Sequence, residues 1–200
     1  MADNRTKLFE EAPIPKAVMT LAIPTIFSCL VSVLYSLADT YFVGMLNNPV
    51  QTAAVTLASP MLLAFNAVNN LFGVGSSSMM SRALGRGDMK TLRQSSAFGF
   101  YGAVICGVLY SVGSLLLRGP LLTLLGADSA TAPVTGRYLL WTVCLGATPS
   151  ILNVVMAYMI RSEGATLHAS IGTMSGCFLN ILLDPLFILP GGLNMGAEGA

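Results

Sequence analysis

Five long apolar runs limit what this 200-residue chain can fold into more than any other feature. They cover roughly residues 17–43, 53–80, 95–117, 138–160 and 165–189. About 20 apolar residues suffice for a helix to cross a bilayer, and each run meets that length. The predicted fold is therefore all-α, a polytopic membrane bundle of five complete transmembrane helices. Gly191 to Ala200 read as a turn and then the small-residue start of a sixth helix near residue 194, so the chain reads as a fragment. Composition points the same way. Charged residues make up 10% of the chain and apolar ones 54%, where about 25% charged is usual for a soluble domain. With 10 basic and 9 acidic residues, no cationic footprint suggests nucleic acid as a partner.

Lys and Arg set the orientation, because cytoplasmic loops are enriched in them. Arg5, Lys7 and Lys16 lie in or at the end of a polar tail over 1–16. Arg82, Arg86, Lys90 and Arg93 fall between spans two and three, and Arg161 follows span four. Only Arg118 and Arg137 belong to the other side. The expected N-terminus is cytoplasmic and the expected location a cell (inner) membrane. The four cysteines, Cys29, Cys106, Cys144 and Cys177, each sit in a different apolar run. There a thiol serves as a small apolar side chain, and no disulfide framework is expected.

Two acids break the apolar pattern. Asp39 lies five residues before the outer end of span one at Gly44, and Asp184 six before the outer end of span five at Pro190. Those depths are about 7.5 and 9 Å, so two helices place a carboxylate at one level. An intramembrane acid faces a bundle interior or a wet cavity and defaults to an ion or substrate site. Asn180 stands one turn below Asp184, and Pro185 frees the carbonyl of Ile181 from its helical bond. Carboxylate, amide oxygen and free carbonyl are hard oxygen ligands, suited to a small hard cation such as Na+. A carboxylate that trades a proton for a cation performs the minimal chemistry of an antiporter.

Further polar residues extend these stripes. Span one carries Ser28, Ser32 and Tyr35 above Pro24, whose missing N–H makes it a kink or hinge. Asn66, Asn69, Asn70 and Gly73 are read as one face of span two, and Asn153 belongs to span four. A wet central cavity lined by spans one, two, four and five would accommodate them. Gly99, Ala103, Gly107 and Ser111 form a small-residue ridge on span three, the pattern of close helix packing.

With these residues in place, the sequence resembles the multidrug and toxic compound extrusion (MATE) family. The likeness rests on Leu37-Ala38-Asp39-Thr40-Tyr41-Phe42-Val43-Gly44 closing span one and on Gly73-Val74-Gly75 through Ser81-Arg82-Ala83-Leu84-Gly85 closing span two. Asn180-Ile181-Leu182-Leu183-Asp184-Pro185 in span five completes it. The opening Phe9-Glu10-Glu11-Ala12-Pro13 and Asn70-Leu71-Phe72-Gly73-Val74-Gly75 look like the bacterial drug-exporting members.

The resemblance implies twelve helices in two six-helix lobes, of which residues 17–200 form most of the first. It implies a transporter rather than an enzyme, with no cofactor beyond a coupling Na+ or H+. The expected partners are the lipid bilayer, lipophilic or cationic small-molecule drugs and a missing C-terminal lobe. Asp39, Asn180 and Asp184 match the family's cation site, and Pro24 matches a proline associated with helix bending. Tyr138 and Asn153 match members of the same polar network. The family's site also takes a hydroxyl from span six, which this chain does not reach. A lipid-linked glycan or polysaccharide flippase of the same superfamily is the alternative, against which stands the lack of Lys or Arg inside the five spans. An intramembrane aspartyl protease would also use two acids, but neither Asp here has glycine flanks.

Overall fold

The computed structural model describes residues 13–46, 48–188 and 195–196. It contains α1 (Ile14–Met45), α2 (Pro49–Gly85), α3 (Met89–Leu116), α4 (Arg118–Leu124) and α5 (Ala132–Leu139). A π-helical stretch (Leu140–Leu145), α6 (Ala147–Ser162) and α7 (Thr166–Ile188) complete the order. No strand occurs among the described residues. Most of the predicted tail and the start of a sixth span near 194 lie outside them.

Local chemistry sets the helix ends. The Asn48 side chain accepts from the Val50 N–H at 3.1 Å, and Pro49 occupies the first helical turn of α2, where its missing N–H costs no hydrogen bond. The Asp88 carboxylate accepts the Thr91 N–H at 3.0 Å to open α3. Between these two helices Gly87 takes a φ of 70°, a left-handed conformation that suits glycine far better than residues with a Cβ. The N–H of Asp88 then closes back onto the Ala83 carbonyl at 2.9 Å.

α1, α2, α3 and α7 are long and apolar enough to cross a membrane, and α5 with α6 makes a fifth span bent by 48°. That bend departs from the straight run expected over 138–160. Pro149 sits in the first turn of α6 and has no N–H to give the Leu145 carbonyl. Just before it the Gly146 N–H bonds the Trp141 carbonyl at 2.9 Å, a step of five residues, which is the wider π pattern. The span also starts earlier than expected, at Ala132. A separate short helix, α4, precedes it on the same side.

α2, α3 and α6 form one packed group. α6 buries Ala147, Ile151, Val155 and Met159, one stripe at four-residue spacing. Ile151, Val155 and Met159 meet Phe72 and Met80 of α2 and Ala103 of α3 in a continuous core. The ridge on α3 is buried as its small residues require: Gly99, Ala103, Gly107 and Ser111 all face inward. A Cβ at Gly99 would overlap the Ser76 hydroxyl, and one at Gly102 would overlap the Phe72 ring edge. A second cluster joins Ala58 of α2 to Tyr138, Leu139 and Val143, beside the π stretch.

α1 belongs elsewhere. It lies along α7 and scarcely touches α2, although only residues 46–48 separate the two in sequence. α7 in turn packs on α6. The bundle is thus a helix pair, α1 with α7, set against a larger group. The polar stripe lies within the pair.

Candidate cation site

Most of the polar side chains on α1 satisfy themselves. Thr20, Thr25, Ser32, Ser36 and Thr40 each donate to the carbonyl four residues earlier, at 2.8 to 3.1 Å. Such back-bonding hides a hydroxyl within its own helix. The wet cavity inferred from hydroxyl content is therefore not needed to explain these residues. Ser28 is different: it is buried, and its hydroxyl faces the Arg161 guanidinium at 3.5 Å. Arg161, placed in a link by its sequence position, is in the last turn of α6 and lies over the Tyr158 ring at 5.9 Å. An arginine thus reaches the α1–α6 boundary, where the sequence left every span free of Lys and Arg.

The two carboxylates remain. Asp184 is 1% exposed, and its Oδ2 has no hydrogen-bond partner. Asp39 is half-buried, and its Oδ1 is likewise without a partner. The two acids are close enough to act on each other electrostatically. Tyr35, half-buried one turn below Asp39, feels both acids as well as Tyr138 and Cys177. Tyr138, buried on α5, feels Asp39. Ser32 and Cys177 touch across the helix pair at 3.8 Å. Asp39, Tyr35, Asp184 and Tyr138 therefore form one neighbourhood drawn from α1, α7 and α5.

The other predicted residues fall differently. Asn180 is on α7 one turn below Asp184, as read, but its side chain is exposed and makes no hydrogen bond to either acid. Asn153 is exposed on α6, off the stripe that α6 buries. The grouping of Asn66, Asn69, Asn70 and Gly73 on one face does not hold. Asn69 and Gly73 are buried, the latter against the Tyr158 ring, while Asn66 and Asn70 are exposed. Neighbouring positions on a helix are about 100° apart, so Asn69 and Asn70 point in different directions. Asn66 turns its amide onto the Leu62 carbonyl at 3.0 Å. Pro24 lies inside α1 and Pro185 inside α7, leaving the carbonyls of Thr20 and Ile181 without helical donors. All four cysteines are free thiols.

The donors gathered here are oxygens, two of them carboxylate atoms that no protein group satisfies. Burying an unpaired charge is expensive, so the arrangement is stable when a proton or a small cation joins the acids. An exchange of one for the other is the chemistry it supports.

Comparisons with known proteins agree on the kind of molecule. The MatE family model matches residues 24–186. The multidrug export protein MepA of Staphylococcus aureus (strain NCTC 8325 / PS 47) is 32% identical over 200 residues, covering 100% of this chain and 44% of its own length. MepA of Staphylococcus haemolyticus (strain JCSC1435) is 33% identical over 201 residues, with the same coverage. Among solved structures, an outward-facing multidrug resistance MATE family transporter of the MOP superfamily superimposes with a TM-score of 0.88 at 30% identity. That match covers 97% of this chain and 42% of the transporter. A MOP superfamily transporter from Pyrococcus furiosus, described as having a binding pocket of reverse polarity that suggests a different function, gives 0.86 at 28%, covering 96% of this chain and 42% of its own. The chain spans less than half the length of the relatives it matches.

Proposed function

The chain belongs to the MatE family of membrane transporters, and from that premise we propose that it is the ion-exchanging part of a multidrug exporter. In this reading the whole protein expels lipophilic, often cationic compounds in exchange for Na+ or H+. Asp39 and Asp184 carry the coupling ion, with Asn180 and the free Ile181 carbonyl as further oxygen donors. The observation behind this is the pair of partnerless carboxylate oxygens at the α1–α7 seam. Tyr35 and Tyr138 border the acids and link their charge state to the neighbouring α5. Pro24 gives α1 a place to bend when that charge changes.

The drug is carried in a cleft completed by the rest of the protein. The inner membrane, a cytoplasmic N-terminus and a second lobe as partner belong to the same proposal. Cargo polarity is open to the opposite choice, given the reverse-polarity pocket described for the Pyrococcus furiosus transporter. The acidic seam favours cationic or neutral compounds.

The test is dye efflux from drug-sensitive cells carrying the full-length gene, with and without sodium and proton gradients. Wild type should expel ethidium, Asp184→Asn should not, and collapse of the driving gradient should stop wild-type efflux. Efflux by Asp184→Asn at the wild-type rate would remove the carboxylate from the mechanism.

A further inference from the structure

At the cytoplasmic ends of α3 and α6 the surface opens into a groove of about 490 Å³. Arg93 and Glu163 line its mouth, and Phe100, Tyr101, Met156 and Ile160 line its length. Arg93 is in the second turn of α3, and Glu163 follows the last residue of α6. Eight residues separate Arg93 from Tyr101 and seven separate Met156 from Glu163, so the groove runs about 10–12 Å into the membrane. The half-thickness of the hydrocarbon core is about 15 Å, which makes this the depth of one leaflet's glycerol backbone and upper acyl chain.

The charges at the mouth are informative. Arg93 and Glu163 share one rim, yet among the described residues neither forms an ion pair. Among the described cations of this end, Arg161 lies against Ser28 of α1, and Lys16, Arg82, Arg86 and Lys90 are not in the lining. Inside, the wall is soft and aromatic. Phe100 and Tyr101 meet edge to face at 5.5 Å, and the Ser96 hydroxyl is turned onto the Met159 sulfur at 3.9 Å. α3 has its main packing against α2 and α6 and none of note against α1 or α7. The groove therefore opens on the far side of the bundle from the acids.

A cation and an anion side by side above an apolar slot are complementary to a headgroup that carries both signs over an acyl chain. We propose that this groove binds an inner-leaflet aminophospholipid, its phosphate on Arg93 and its ammonium on Glu163. The acyl chain lies along Phe100, Tyr101 and Met156. A purely anionic headgroup would meet the Glu163 carboxylate and be repelled by it. A unit charge about 4 Å from another in water shifts partition by roughly fivefold, and Glu163 sets that discrimination against an anionic headgroup.

The experiment uses full-length protein, washed in detergent after extraction from membranes of mixed phosphatidylethanolamine and phosphatidylglycerol, with retained lipid read by mass spectrometry. Wild type should retain phosphatidylethanolamine over phosphatidylglycerol by roughly fivefold relative to the bulk membrane. Arg93→Gln and Glu163→Gln should each return the ratio to bulk, and Arg86→Gln should leave it enriched. Both groove residues are exposed, so the variants fold, and an unchanged melting profile verifies it. Equal retention in all four proteins would overturn the assignment. So would a preference for phosphatidylglycerol lost only in Arg93→Gln, which marks a simple anionic-lipid site, and so would a lipid-free dimer seated on this face.

Discussion

Replacing Asp184 by Asn separates a coupling carboxylate from a structural one. The side chain is 1% exposed and its Oδ2 has no hydrogen-bond partner, so the substitution removes no bond from that oxygen and nearly preserves volume. An ionised Asp at membrane depth costs about 2.5–3.5 kcal/mol on insertion scales. Loss of the charge should therefore leave stability unchanged if Asp184 rests protonated, or raise it by up to about 3 kcal/mol if it rests ionised. The full-length variant should melt at or above the wild-type temperature in ion-free buffer. Ligand linkage gives the second half. A coupling ion at 100 times its dissociation constant stabilises the wild type by about 2.7 kcal/mol, and the variant should gain far less. Thermal melts across sodium concentration and pH read both effects. A variant that melts lower by the roughly 1–3 kcal/mol of a broken buried bond, with the wild type indifferent to both ions, would show that Asp184 ties α1 to α7 and exchanges nothing.

Four smaller perturbations probe the scaffold. Gly99→Ala pushes a Cβ into Ser76 and within 2.5 Å of the Met159 methyl, and should cost about 1–3 kcal/mol of overpacking in a melt. Tyr110→Phe removes a 2.6 Å hydrogen bond from α3 to the Met61 carbonyl of α2 and should cost about 0.5–1.5 kcal/mol by the same assay. Arg161→Ala leaves the buried Ser28 hydroxyl without its partner and should cost about 1–3 kcal/mol in a melt. Asp88 caps α3, and its bonds from the Thr91 hydroxyl and N–H hold its carboxyl below the usual range. A lowered folded-state value stabilises the cap above the ordinary pKa of about 3.9 and loses that help as pH falls through the folded value. Amide exchange in the first turn of α3 should accelerate there, and Asp88→Asn should flatten the response.

Hydropathy carried most of the architecture, because a bilayer admits few alternatives for an apolar run of this length. The two acids were also plain, since nothing else in the five apolar runs is charged at their depth; the earlier start of the fifth span, at Ala132, adds Arg137 at a similar level. The bend over 140–149 was missed, although Pro149 was its signal. A proline close to a helix start usually opens a helix, and only the π-type bond from Gly146 shows that it broke one already under way. The hydroxyl stripe on α1 misled for the opposite reason. Side-chain composition cannot tell a serine facing water from one bonded to its own backbone four residues back. Arg161 escaped because a loop position says nothing about where a long, flexible side chain reaches.

The separation in sequence of α1 from α7, its main partner among the described helices, has a consequence for biogenesis. From Met45 to the start of α7 at Thr166 a ribosome needs on the order of ten seconds. During that interval α1 stands in lipid beside helices it hardly touches. Its back-bonded threonines and serines let it wait there with most of its hydroxyls satisfied, and Asp39, close to the outer end, can lean toward the headgroups. The same residues that line the finished seam thus make the helix tolerable as a solitary insert, and the seam closes only when α7 arrives.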